Sequence, residues 1–396
     1  MSGAQAPKAT GMTHERSRAR NAARTRPPSS RQLAIAAFVG CVLGAAAGAL
    51  ALWSGSVSTA TLPRPGAWPL AVAWTALLLA AFLAVFVHEL GHILAGMLVG
   101  YQAFLLIVGP FRIERSATQW HLHWNRELLL YGGLAGAMPR GRLSSGQLTR
   151  RLAAFTAGGP LTSLVAGGLG WWVLPPVRFS TDATAAWLFA ATLGQAFAFG
   201  SLLIGVITLV PGRTAGFLTD GARLRLLAMG GPAAEREAAL QGIFGASMAG
   251  VRPRDWPSEL VAMALRAEDD SVLHVVACQL AQMQAADAGD TPRARHLLES
   301  VLARVDAVPA LGQPALYYDA ARQLARWGDV ERARDLVSRG GTAVGGPALQ
   351  PLAELAILVA DGAYEEALNT LVASRPEIDA WIWRAADGEM PPLPIR

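Results

Sequence analysis

Cysteine is almost missing from these 396 residues: Cys41 lies in an apolar run and Cys278 in the more polar second half, and two thiols so placed build neither a disulfide framework nor a cysteine-based metal site. Lysine is scarcer still. Lys8 is the single one among 34 basic residues, which together with the abundance of Ala, Gly and Arg points to a GC-rich bacterial genome rather than to a chemistry. Charged residues make up only 16% of the chain against 52% hydrophobic, so a membrane protein with a soluble part is expected. The first apolar run is too long for a signal peptide and lacks a clear small-residue cleavage site at its end.

What charge there is falls unevenly. Residues 1–31 hold Lys8, Arg16, Arg18, Arg20, Arg24, Arg26 and Arg31 against Glu15 alone. Beside a hydrophobic span such a basic cytoplasmic arm serves as an orientation signal or a contact with the lipid bilayer, and no nucleic-acid partner is expected. Four stretches, 33–53, 68–100, 152–177 and 183–212, reach the roughly 20 apolar residues that a bilayer crossing takes. The segment 101–151 carries seven Arg and two Glu, whereas the links 54–67 and 178–182 carry one Arg each. The positive-inside bias therefore predicts a multi-pass protein of a bacterial cell membrane with both termini cytoplasmic.

Between the second and third runs, "FLLIVGPFRI" and "TQWHLHW" read as two short strands separated by "ERSA", a β-hairpin at the membrane surface. Alternation puts His121 and His123 on one face of the second strand and Trp120 and Trp124 on the other, as in an ordinary interfacial strand, and a histidine pair without a third partner rarely holds a metal. After about residue 229 the apolar runs stop and helical periodicity broken by Gly and Pro takes over. There "GDTPRA", "GDVERA" and "GAYEEA" begin at 289, 328 and 362, each between two amphipathic helices. Gly would make the turn of a helix hairpin and Ala would let its helices approach, as in tetratricopeptide-like repeats; a generic helical bundle is the alternative, since the signature aromatics are mostly missing. The chain thus divides into a basic arm (1–31), a transmembrane domain (32–229) and a cytoplasmic helical domain (230–396) that can engage a protein partner.

Two histidines and a glutamate interrupt the second apolar run, in "AVFVHELGHILAG" at 84–96. Ionisable groups in such a run cost roughly 2.5–3.5 kcal/mol each on insertion and are functional by default. His88 and His92 are four apart, so on a helix they project from one face, with Glu89 close enough to handle a water held between them. That is the H-E-x-x-H arrangement of a zinc hydrolase: neutral imidazoles and a further protein ligand hold one Zn2+ with an open position for water, and Glu89 is the general base.

These residues resemble the site-2 protease family of intramembrane zinc metalloproteases. The likeness rests on "HELGH", on "AGGPLTSL" (157–164) and on "LVPGRTAGFLTDGARL" (209–224), and covers about residues 68–228. It implies His88 and His92 as zinc ligands, Glu89 as catalytic base, and Asp220 of "TDG" as the third ligand. Ser163 and Thr208 stand where the family often has Asn, and the gap from Pro211 to Asp220 is longer than in many members, departures that bear on substrate clamping more than on the zinc site. The second and fourth runs both lead toward the cytoplasmic side, so His88 and Asp220 arrive at one depth, while Asp182 falls on the opposite side. Thr219 can cap the helix "DGARLRLLAM", leaving Asp220 in its first turn where the helix dipole favours an anion, and Gly221 would let that backbone come close to the helix carrying His88 and His92.

The expected fold is mainly α: a polytopic bundle of about four spans with a short membrane-surface β-hairpin, followed by a soluble α-helical tetratricopeptide-like domain. The expected function is zinc metalloendopeptidase activity on a transmembrane or membrane-proximal segment of a membrane-protein substrate near the cytoplasmic face, as in regulated intramembrane proteolysis. A non-catalytic membrane scaffold or maturation factor working through the helical domain is the alternative, against which the intact base argues. A diiron oxygenase is weaker, because seven histidines supply no further HxxxH-type box.

Overall fold

The computed structural model describes residues 67–115, 119–125, 131–140, 145–173, 184–214, 217–310, 312–341 and 348–386, all within one compact unit. The basic arm, the first apolar run and Asp182 lie outside the described residues. The described chain is mainly helical, and α1 (Ala67–Leu98), α2 (Ser145–Val173) and α3 (Ala185–Leu209) are long and apolar enough to cross a membrane. They coincide with the second, third and fourth apolar runs.

The three-helix bundle is sorted by size rather than by polarity. Ala76, Ala80, Ala84, Ala198, Ser163 and Ser201 are buried, while Leu78, Leu98, Leu169, Trp172, Val206 and Ile207 are exposed. Water would penalise that surface; a bilayer suits it, because large apolar side chains face lipid and small ones let helices pack by close van der Waals contact. α1 and α2 cross at Gly91 and Gly158, where a Cβ on either would run into the other's backbone.

The connection from α1 to α2 is an antiparallel sheet of β1 (Tyr101–Val108), β2 (Phe111–Arg115), β3 (Trp120–Trp124) and β4 (Leu134–Pro139) in the order β3-β2-β1-β4. The expected two-stranded hairpin is thus corrected to four strands. "FLLIVGPFRI" divides at Gly109-Pro110: Gly109 adopts φ +54° and the chain turns back, with Val108 opposite Phe111. β2 and β3 do pair as a hairpin, from Phe111↔Trp124 to Arg115↔Trp120. β4, "LAGAMP", pairs with β1 from Ile107↔Leu134 to Tyr101↔Pro139, and its Gly and Ala lack both alternation and strand propensity. The Phe82 ring of α1 meets Phe111 edge-on at 5.7 Å and fastens the sheet to the helix.

After α3, β5 (Arg213–Thr214) and β6 (Phe217–Leu218) pair in a small hairpin that leads into α4 (Asp220–Met229). Then come α5 (Pro232–Met248), α6 (Ser258–Leu265) and three helix pairs: α7 (Val272–Asp287) with α8 (Thr291–Leu302), α9 (Gln313–Arg326) with α10 (Val330–Arg339), and α11 (Leu349–Ala360) with α12 (Tyr364–Ala386). Gly289, Gly328 and Gly362 sit at the three turns with φ of +81°, +81° and +77°, and Ala294, Ala333 and Ala367 further along each phrase are buried. The left-handed turn requires Gly, and the missing side-chain bulk at Ala lets each pair close. Leu148 of α2 packs in one apolar cluster with Ile243 of α5 and Leu260 of α6, so the helical part shares a core with the end of a membrane-type helix.

Candidate metal centre

Helical spacing on α1 brings His88 and His92 to one face, and both are buried. Asp220 reaches them from the first turn of α4, whose start is built around Thr219. The Thr219 hydroxyl accepts from the N–H groups of Ala222 (3.3 Å) and Gly212 (3.0 Å) and donates to the Val210 carbonyl (2.8 Å), capping α4 and closing the β5–β6 hairpin in one stroke. The long gap between Pro211 and Asp220 is taken up by that hairpin. Gly221 lies against the Leu209 carbonyl with no room for a Cβ. Its close approach is therefore to α3 and not, as the sequence suggests, to α1; the hairpin folds the chain back onto the end of α3, and only the Asp220 side chain crosses to the histidines.

Three ligand atoms converge. His88 Nε2 and His92 Nε2 are 3.3 Å apart, and Asp220 Oδ2 lies 3.3 Å from the first and 3.6 Å from the second. Tetrahedral coordination with bonds of about 2.0–2.1 Å spaces ligand atoms about 3.3–3.4 Å apart. The donor chemistry points the same way. His92 Nδ1 is 2.9 Å from the Phe155 carbonyl oxygen, which can only accept, and 3.3 Å from the Gly159 backbone nitrogen; with Nδ1–H donating to the closer carbonyl, the Nε2 lone pair faces Asp220. His88 Nδ1 is backed by the fully buried Ser163 hydroxyl at 3.0 Å. A carboxylate facing a nitrogen lone pair is repulsive unless a second proton or a metal cation lies between, and two imidazoles converging on one oxygen suit a single shared cation. His88, His92 and Asp220 can hold a metal ion.

Glu89, beside His88, is buried against β4. Its carboxylate touches the backbone at Gly133, takes a hydrogen bond from the Ala135 backbone, and interacts electrostatically with His92 and Asp220. His121 and His123 stay on β3 opposite Glu114 and Arg112, their rings 6.2 Å apart, and they belong to no group of three that could hold a metal ion among the described residues. Thr208 turns its hydroxyl back to the Gly205 carbonyl at 3.5 Å. Ser163 reaches His88 through its hydroxyl. Three positions were not legible: Phe155 acts through its carbonyl, Gly133 through its backbone, and Gly159 through absence, since a Cβ there would run into the His92 ring.

No family model matches the chain, and no curated protein or solved structure matches it.

Proposed function

We propose that the protein is an intramembrane zinc metalloendopeptidase of the site-2 protease kind, holding one Zn2+ through His88, His92 and Asp220. It cleaves a transmembrane or membrane-proximal segment of a membrane-protein substrate near the cytoplasmic face, as in regulated intramembrane proteolysis. The observation that carries the reading is two imidazole nitrogens and one carboxylate oxygen at tetrahedral spacing, with a further buried carboxylate, Glu89, beside them in a bundle suited to lipid. Zinc bound there supplies a water acidified toward a pKa of about 7. Glu89 accepts a proton and returns it to the leaving amine. The Phe155 carbonyl, which only accepts, favours the His92 tautomer that leaves Nε2 free to ligate, and the Ser163 hydroxyl can accept from His88 Nδ1 in the same tautomer. Purified protein should contain one zinc per chain, and 1,10-phenanthroline should remove it together with cleavage of single-span substrates. Metal-free protein that still cleaves would overturn the reading.

The location proposed is a bacterial cell membrane, multi-pass, with both termini cytoplasmic. Exposed Trp74 near the start of α1, Trp171 and Trp172 at the end of α2 and Trp187 at the start of α3 suit one interfacial belt on the outer side. A reporter fused after Arg396 should be active in the cytoplasm only; activity confined to the exterior would invert the topology.

The three helix pairs are read as a tetratricopeptide-like interaction domain. Val359, Tyr364, Leu368, Leu371 and Val372 leave an exposed apolar stripe on the last pair, which favours a protein partner for it. The same stripe is what supports the second reading, a scaffold or maturation factor acting through this domain.

A further inference from the structure

We infer that Gly133 is a positioning residue for Glu89, letting β4 close over the carboxylate in a way that no other residue permits. The inference rests on the proposed role of Glu89 as proton acceptor.

Two independent constraints meet at Gly133. Its φ of +103° lies in a region that side chains avoid, and a Cβ built there would overlap the Glu89 carboxylate, lying 2.8 Å from both Cγ and Cδ. The neighbouring Gly132 meets neither: it has no left-handed φ, and a Cβ there would find nothing within 4 Å. The backbone at 133 cannot simply step aside, because it is braced at both ends. On one side the Gly109 N–H donates to the Tyr131 carbonyl at 3.2 Å; the Gly109 turn is itself held by the buried Asn125, whose side-chain amide donates to the Gly109 carbonyl at 2.8 Å and whose N–H donates to Pro110 at 2.7 Å. On the other side β4 starts its pairing with β1 at once, Leu134 opposite Ile107.

The consequence for chemistry is a matter of reach. α1 orients the Cα–Cβ bond of Glu89, but the side-chain torsions beyond it are free until something stops them. Gly133 and the Ala135 backbone are that stop, so the sheet, rather than the helix carrying the ligands, decides where the carboxylate ends. A general base works within about 2.6–3.2 Å of its proton. A methyl group at 133 would push the carboxylate by about an ångström, and displacement on that scale costs on the order of 100-fold in rate.

The test compares Gly133→Ala with Gly132→Ala in the full-length protein, beside wild type and Glu89→Gln. Zinc affinity is read by competition with a chelating indicator, and kcat and KM on one single-span substrate. The rate at which a hydrophobic carbodiimide labels Glu89 is followed by mass spectrometry. Gly133→Ala should keep zinc affinity within about threefold of wild type, lose about 100-fold in kcat at unchanged KM, and label Glu89 faster; Gly132→Ala should match wild type throughout. Should Gly133→Ala fail to insert, Ala135→Pro removes the backbone donor at a sheet edge and should give the same pattern more mildly. Wild-type cleavage by Gly133→Ala beside an inactive Glu89→Gln would overturn the positioning role while leaving the hydrolase intact. Loss of zinc in Gly133→Ala would also overturn it, by making the glycine a support of the metal ligands. Cleavage by Glu89→Gln would sink the base itself, and the labelling rates would still show whether Gly133 covers the carboxylate.

Discussion

Glu89→Gln protein should fold, keep its zinc and lose cleavage by about 10²–10⁴-fold, the usual worth of a positioned general base. Glutamine has the same shape, so the contact at Gly133 survives, and its carbonyl oxygen can still accept from the Ala135 backbone. What the amide cannot do is take up a proton. His88, His92 and Asp220 are untouched, which separates this loss from loss of metal. The measurement is a proteomic comparison of membranes carrying wild-type or Glu89→Gln protein: a membrane protein that accumulates uncut only with the variant identifies the substrate and the chemistry together. Near-wild-type turnover by the variant would remove the hydrolase mechanism and promote the scaffold.

Asp220→Ala should lower zinc affinity by more than the roughly 10–100-fold that follows loss of a group hydrogen-bonded behind a metal ligand, because here the ligand itself is gone. Two imidazoles remain, 3.3 Å apart, and two ligands do not close a tetrahedral site. Asp220→Glu, one methylene longer, should retain weak binding in poor geometry, and His121→Ala and His123→Ala should bind as wild type. Gly221→Ala is expected to resemble Asp220→Ala although it removes no ligand: its methyl has no space beside the Leu209 carbonyl, so the first turn of α4 must move and carry Asp220 with it. Equilibrium competition with a chelator ranks all five. Full occupancy in Asp220→Ala, with zinc lost in either β3 histidine variant, would place the third ligand on the sheet.

Short-range patterns were legible in the chain itself. Apolar runs of bilayer length, two histidines at helical spacing, Thr219 ahead of a helix, and glycines at 289, 328 and 362 each depend on residues contiguous or close in the sequence. They rest on side-chain size, direction and local hydrogen bonding, which can be read without knowing any tertiary contact. Other features needed the folded chain. β4 is a strand because β1 has an open edge beside it, not because "LAGAMP" prefers one, and Gly109 splits a continuous apolar run that periodicity alone reads as a single strand. The groups behind the ligands were invisible for a different reason. Ser163 is 75 residues from His88 and the Phe155 carbonyl 63 from His92, and a backbone carbonyl is the same on every residue, so no residue type marks the one that will be used. Gly133 and Gly132 are identical letters side by side. Packing alone, which brings the Glu89 carboxylate against one and leaves the other in open space, gives them different work.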